Sequence, residues 1–189
     1  MSEENNQTEV KSGFTKSLIE WVVYIVFLVV LCYLIVTFVG QRTEVFGESM
    51  EPNLENGDNL IVDKISYRFR EPKRYEIIVF PYDKETKTYY IKRIIGLPGE
   101  TIQIIDGYVY INDKLLEDET YGREVMNEPG IAEEPIVLAD DEYFVLGDNR
   151  NHSTDSRFQS VGVLNREDLI GRAWVRIYPF NKMGIINHE

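Results

Sequence analysis

The pattern of apolar and polar positions divides the chain into two unequal parts. Met1 to Lys11 (MSEENNQTEVK) is polar, with no apolar period, and reads as a disordered tail. An unbroken apolar run follows. Residues 21–41 (WVVYIVFLVVLCYLIVTFVGQ) hold no Asp, Glu, Lys, Arg or His. A helix over that run rises roughly 30 Å, enough to cross a hydrocarbon core. Trp21 and Tyr24 lie near one end, where aromatic rings favour the membrane interface. A core helix of a soluble domain would be broken by polar residues on one face, and this run is not.

The run is also longer than the apolar stretch of a cleaved signal peptide, about 7–15 residues. Its end, Thr37-Phe38-Val39-Gly40, lacks a small-x-small cleavage pattern. The chain therefore reads as a cytoplasmic tail over 1–17, a transmembrane helix over 18–40 and a domain over 41–189. Lys11 and Lys16 precede the run, whereas Arg42 alone follows closely, with Lys64 next. That bias puts the N-terminus in the cytoplasm and the domain on the outer face of the cell membrane, anchored by a single pass.

From Asn59 onward the period shortens to that of strands. Asn59–Ile65 (NLIVDKI), Tyr75–Phe80 (YEIIVF, ended by Pro81) and Thr88–Ile95 (TYYIKRII) have apolar, β-branched or aromatic character. Asp83–Lys87 between them is a charged turn. Glu100–Ile105 and Tyr108–Asn112 flank Asp106-Gly107, the strongest short hairpin signal available. Asp113–Pro135 is acidic and reads as an irregular excursion. Glu142–Leu146 (EYFVL) and Ala173–Tyr178 (AWVRIY) complete the set. Leu54-Glu-Asn-Gly-Asp58 is a turn by composition. No repeat and no long amphipathic helix interrupts the pattern. The predicted fold is mainly β: an N-terminal transmembrane helix followed by a β-rich domain.

Charge narrows the partners. The 189 residues carry a formal net charge of -12. From Gln41 onward, 18 basic and 28 acidic residues leave about -10. Phosphate binding needs a basic face, so nucleic acid is excluded as the main partner. The single cysteine, Cys32, lies in the apolar run, so the domain has neither a disulfide nor a thiolate zinc site.

The candidate chemistry emerges by elimination. The two histidines are His152 and His188, and neither suits a Ser-His-Asp triad by position. There is no Gly-x-Ser-x-Gly elbow, Ser-x-x-Lys, His-Glu-x-x-His, Walker loop or EF-hand spacing. No metal-ligand spacing and no cofactor fingerprint is present. What remains is Ser49, in Gly47-Glu-Ser-Met-Glu-Pro52 just beyond the apolar run, and Lys92, mid-strand. A lysine is a general base only when neutral, so its ordinary pKa of about 10.4 must fall by roughly 2–3 units through burial. By strand period Tyr90 and Ile94 share the face of Lys92, while Arg93 points the other way and can stay solvated. The alternative is that Lys92 is an edge lysine that blocks aggregation.

Four segments together resemble the ordered boxes of type I signal peptidases. They are Gly47-Glu-Ser-Met-Glu-Pro-Asn-Leu54, Gly57-Asp-Asn-Leu-Ile-Val62, Lys92-Arg-Ile-Ile-Gly-Leu-Pro-Gly-Glu100 and Gly147-Asp-Asn-Arg-Asn-His-Ser-Thr-Asp-Ser-Arg157. The resemblance runs from the anchor to about Trp174. Its single span and short length resemble the Gram-positive bacterial form. It implies a membrane-anchored serine endopeptidase with a signal-peptidase-like catalytic β domain. By that resemblance Ser49 is the nucleophile and Lys92 the general base. Ser153 matches the serine that hydrogen-bonds and orients the lysine, and Asp155 and Arg157 match a supporting ion pair. Met50 and Tyr90 are implied substrate contacts. Two departures stand out. Gly47 lacks the hydroxyl that serves some members as an oxyanion donor, and Asn53 replaces the usual threonine. The implied partners are secretory preproteins with small-x-small cleavage sites, membrane lipid and the Sec export machinery. Competing readings are a Ser-Lys protease of another substrate class, a self-cleaving stress-response protease, and an inactive surface-binding β domain.

Overall fold

A computed structural model of the chain describes residues 17–34, 40–83, 88–117, 121–122 and 124–188. The polar tail and the charged turn centred on 84–87 lie outside the described residues. The chain divides into two units, residues 1–40 and 41–189.

In the first unit a helix, α1, spans Ser17–Leu34, and every residue of it is exposed. Its 18 residues are long and apolar enough to cross a membrane. From Trp21 onward the helix is apolar on every side, with no polar face to turn toward water.

Among the described residues twelve strands follow, in the second unit but for the first residue of β1. In chain order they are β1 (Gly40–Glu44), β2 (Asn59–Asp63), β3 (Ile77–Asp83), β4 (Thr88–Gly96), β5 (Thr101–Ile105), β6 (Tyr108–Ile111), β7 (Lys114–Leu115), β8 (Ile136–Val137), β9 (Glu142–Leu146), β10 (Leu164–Asn165), β11 (Gly171–Tyr178) and β12 (Gly184–Ile185). The larger sheet runs β1-β2-β11-β3-β4-β9-β10, with β12 on β11. The smaller runs β7-β6-β5-β8.

The fold confirms the β-rich reading and corrects several boundaries. β3 does not stop at Pro81. Pro81 pairs with Tyr89, and a register shift follows it before Asp83. A proline is tolerated in such a place because the irregular ladder asks no N–H of it. β1, β10 and β12 have no clear sequence signal. Two are two-residue strands, and β1 reads GQRTE, without an apolar alternation. The excursion over Asp113–Pro135 contains β7, and β8 follows directly after it. The Asp-Gly hairpin forms with Ile105 opposite Tyr108, and both turn residues take positive φ (51° and 79°).

Packing sets where the site can sit. One apolar cluster joins Val45, Met50 and Leu54 of the serine segment to Leu60, Val62, Ile77 and Val79 of β2 and β3. The serine segment is thus seated on the main sheet by its own buried side chains. A second cluster packs the smaller sheet against Ile95, Phe144 and Leu146. β4 runs between the two, and Lys92 lies on β4.

Candidate active site

Ser49 sits in a turn between β1 and β2. Glu51 N donates to Glu48 O at 3.1 Å and Leu54 N to Met50 O at 2.9 Å, so the turn closes on itself. Met50 is 1% exposed and Leu54 fully buried, anchoring the downstream side, and buried Val45 anchors the upstream side. Ser49 between Val45 and Met50 is half-buried, with its hydroxyl toward β4. Gly47 has φ 84°, a left-handed conformation that disfavours any side chain. That accounts for glycine there, and the absence of a hydroxyl follows from the backbone.

Lys92 lies opposite Ile78 on β3 and is 3% exposed. Its Nζ is 2.8 Å from Ser49 Oγ and donates to Ile91 O at 3.0 Å. The Tyr90 ring lies beneath, 4.9 Å from Nζ to centroid, and stacks on Tyr82 at 4.3 Å. Burial pushes the Lys92 amine down to about 8, and the carboxylates of Asp155 and Asp148 limit the fall by pulling the other way. This is the amine required of a base near neutrality, not an edge lysine in water. A cavity of about 230 Å³ opens onto the pair, lined by Phe46, Met50, Tyr89, Tyr90 and Ile91 among others.

The loop after β9 clamps the serine turn. Asn149 N donates to Ser49 O at 3.0 Å, and its side-chain amide to Glu48 O at 3.2 Å. Gly147 permits this approach: a Cβ there would stand 2.5 Å from Ser49 O and 2.2 Å from Ser153 Oγ. Asp155 and Arg157 form a buried ion pair at 2.8 Å, and Asp155 also accepts from Gly147 N at 3.1 Å. The expected hydrogen bond from Ser153 to the lysine is not formed. Ser153 Oγ is buried without a partner, because Nζ is turned to Ser49 Oγ and Ile91 O.

Arg93 overturns a second expectation. It is fully buried, not solvated. Its guanidinium meets Asp148 with two bonds of 2.8 and 2.7 Å, and lies 3.6 Å over the Tyr121 ring centroid. The strand period correctly turned it away from Lys92, but that face is covered by Asp148, Tyr75 and the Tyr121 ring. The adjacent acidic position in Gly147-Asp-Asn149 was the available signal. Asn149 and Asp148 were missed as site residues because nothing local tells which loop will meet Ser49.

With this geometry in view, the comparisons with known proteins are direct. The model of the family "Signal peptidase, peptidase S26" matches residues 18–178. The chain belongs to that signal peptidase family. A "Probable signal peptidase I-2" from Synechocystis sp. is 44% identical over 166 residues, covering 85% of this chain and 73% of that protein. A "Signal peptidase I" from Bacillus licheniformis is 37% identical over 187 residues, covering 93% of this chain and 97% of that protein. A crystallised signal peptidase I from Enterococcus faecalis is 32% identical, with a TM-score of 0.44, over 55% of this chain and 97% of that one. Members of this family are serine endopeptidases, so the chain is a hydrolase with a serine at its centre.

Proposed function

We propose that this signal peptidase family member is a membrane-anchored endopeptidase that removes N-terminal signal peptides from exported preproteins, with Ser49 as nucleophile and Lys92 as general base. The observation that carries this reading is the 2.8 Å approach of a buried lysine amine to the Ser49 hydroxyl. In the neutral amine the bond reverses, and Ser49 O–H donates to the Nζ lone pair.

The chemistry is acyl transfer. Lys92 Nζ takes the hydroxyl proton as Oγ bonds to the scissile carbonyl carbon. The oxyanion that forms is met by the Ser49 N–H, which makes no other hydrogen bond among the described residues. Gly47 N is not available for it, since it donates to Asn56 Oδ1 at 2.9 Å. Collapse breaks the C–N bond as the Lys92 ammonium returns its proton to the leaving amine. Neutral Lys92 next deprotonates a water that attacks the acyl carbon, and the C–Oγ bond breaks as the Lys92 ammonium returns that proton to Ser49 Oγ. Ile91 O steers Nζ through both cycles. Asp155 and Arg157 act as a supporting ion pair behind the loop that carries Ser153.

The substrate binds extended. β4 pairs with β9 only from Arg93 onward, so among the described residues Thr88–Lys92 pair with β3 alone. An extended peptide can add to that edge, with main-chain bonds for affinity and shallow pockets for selection. Met50 and Tyr90 help line a cavity suited to small side chains, which fits small-x-small sites. α1 is the anchor, with the N-terminus in the cytoplasm and the β domain on the outer face. Lipid is then a standing partner, and preproteins arrive through the Sec machinery. Confining enzyme and substrate to one surface raises their effective concentration.

The test is incubation of the purified, detergent-solubilised chain with a signal-peptide substrate, followed by mapping the cut. A single cut after small-x-small is expected, and its loss in Ser49→Ala. Full processing by Ser49→Ala would refute the reading.

A further inference from the structure

Asn53 lies four residues beyond Ser49 in the same turn, with an exposed side chain that is nonetheless committed. Its amide Nδ2 donates to Asp148 Oδ2 at 2.8 Å, across 95 residues of sequence. Only the NH2 end can face Asp148, because a carboxylate accepts and does not donate. The same Asp148 accepts two bonds from the Arg93 guanidinium, and Arg93 follows Lys92 on β4. Arg93 is fixed in turn by donating to Tyr75 O at 2.7 Å and by the Tyr121 ring. One carboxylate therefore joins the turn that carries Ser49 to the strand that carries Lys92.

We infer that Asn53 is a positioning residue, whose amide sets the Ser49 turn at reach of Lys92 through Asp148 and Arg93. The inference rests on the Ser49–Lys92 reading above. The turn is rigid enough to transmit the constraint. Leu54 N donates to Met50 O at 2.9 Å, and Leu54 is fully buried. Asn149 grips the upstream end at Ser49 O and Glu48 O. Asn53 grips the downstream end, so the loop of residues 147–149 holds the turn at two separated points. The backbone of Asn53 is tied independently, since Arg176 donates to its carbonyl. Replacing the side chain thus removes the Asp148 contact and leaves that tie in place.

The reach of a proton transfer is steep in distance, so loss of the tether lowers turnover without altering the peptide-binding edge. The experiment uses the full chain in detergent with a signal-peptide substrate, comparing wild type, Asn53→Leu, Asn53→Gln and Ser49→Ala. Asn53→Leu is expected to lower kcat roughly tenfold with KM within about twofold, the split of a group felt in the transition state. The thermal midpoint is expected to move little, as the side chain is exposed. Asn53→Gln keeps the amide and has room in solvent, so kcat is expected to recover. A Leu variant with wild-type kcat overturns the inference. So does a Gln variant as slow as Leu, or a thermal midpoint lowered enough for the folded fraction to explain the loss. If Ser49→Ala stays inactive while Asn53→Leu is normal, only the tether fails. If Ser49→Ala cleaves, the dyad itself fails.

Discussion

Lys92 Nζ and Ser49 Oγ meet at 2.8 Å although 43 residues separate them in sequence. Neither partner reaches the other by local structure. The turn after β1 presents the hydroxyl, β4 presents the amine, and the loop after β9 fixes the gap.

The first consequence is a pH dependence. With its pKa lowered to about 8 by burial, Lys92 is protonated and idle below that value. The acid limb of kcat/KM is expected to rise about tenfold per pH unit and level off above about 8. A pH–rate profile checks this, and an acid limb near the free-lysine value would mean that the amine is hydrated.

The same burial has a stability signature. The folded state prefers neutral Lys92, whereas the unfolded chain keeps the amine charged up to its ordinary value of 10.5. Below about 8 both states carry the charged amine, and the full penalty is present; between about 8 and 10.5 the unfolded state binds more protons, so the penalty is relieved as pH rises through that window. Lys92→Met removes the penalty, worth up to about 3 kcal/mol at 1.36 kcal/mol per unit. Denaturant unfolding should find Lys92→Met more stable than wild type at pH 7, with the gap narrowing toward pH 10.

Gly147→Ala tests the close approach of the clamping loop. The added Cβ would meet Ser49 O at 2.5 Å and Ser153 Oγ at 2.2 Å, so the loop or the serine turn must shift. A misplacement of ~1 Å is enough for a roughly hundredfold loss of turnover. Overpacking adds about 1–3 kcal/mol of destabilisation, visible in the same unfolding experiment.

Asp155→Asn separates two effects. It leaves the buried Arg157 cation without its charge partner, expected to cost about 3 kcal/mol or more. It also removes a carboxylate that holds the Lys92 amine up, so the acid limb should move to lower pH. Thermal unfolding measures the first and the pH–rate profile the second. An unmoved limb would mean that Asp155 does not act on Lys92.

Much of this was legible in the sequence. Apolar, β-branched and aromatic runs marked β4 and β9, Asp-Gly marked the β5–β6 hairpin, and elimination together with the resemblance of four boxes pointed to Ser49 and Lys92. What was hidden is what depends on long-range packing. Arg93 was expected in water because strand period gives a direction but not what covers that face. β10 and β12, of two residues each, owe their extension to neighbours and not to propensity. The lysine-to-Ser153 bond expected by resemblance gives way to a shorter arrangement, with Nζ on the neighbouring carbonyl of its own strand.

Cleavage of a signal-peptide substrate by Lys92→Met at pH 9 is the most direct single measurement. The methionine preserves the length and apolar packing of the side chain but cannot take a proton. The rate is expected to fall by ~10³-fold or more, with the domain folded. A folded Lys92→Met protein that cleaves within tenfold of wild type would contradict catalysis by the serine–lysine pair.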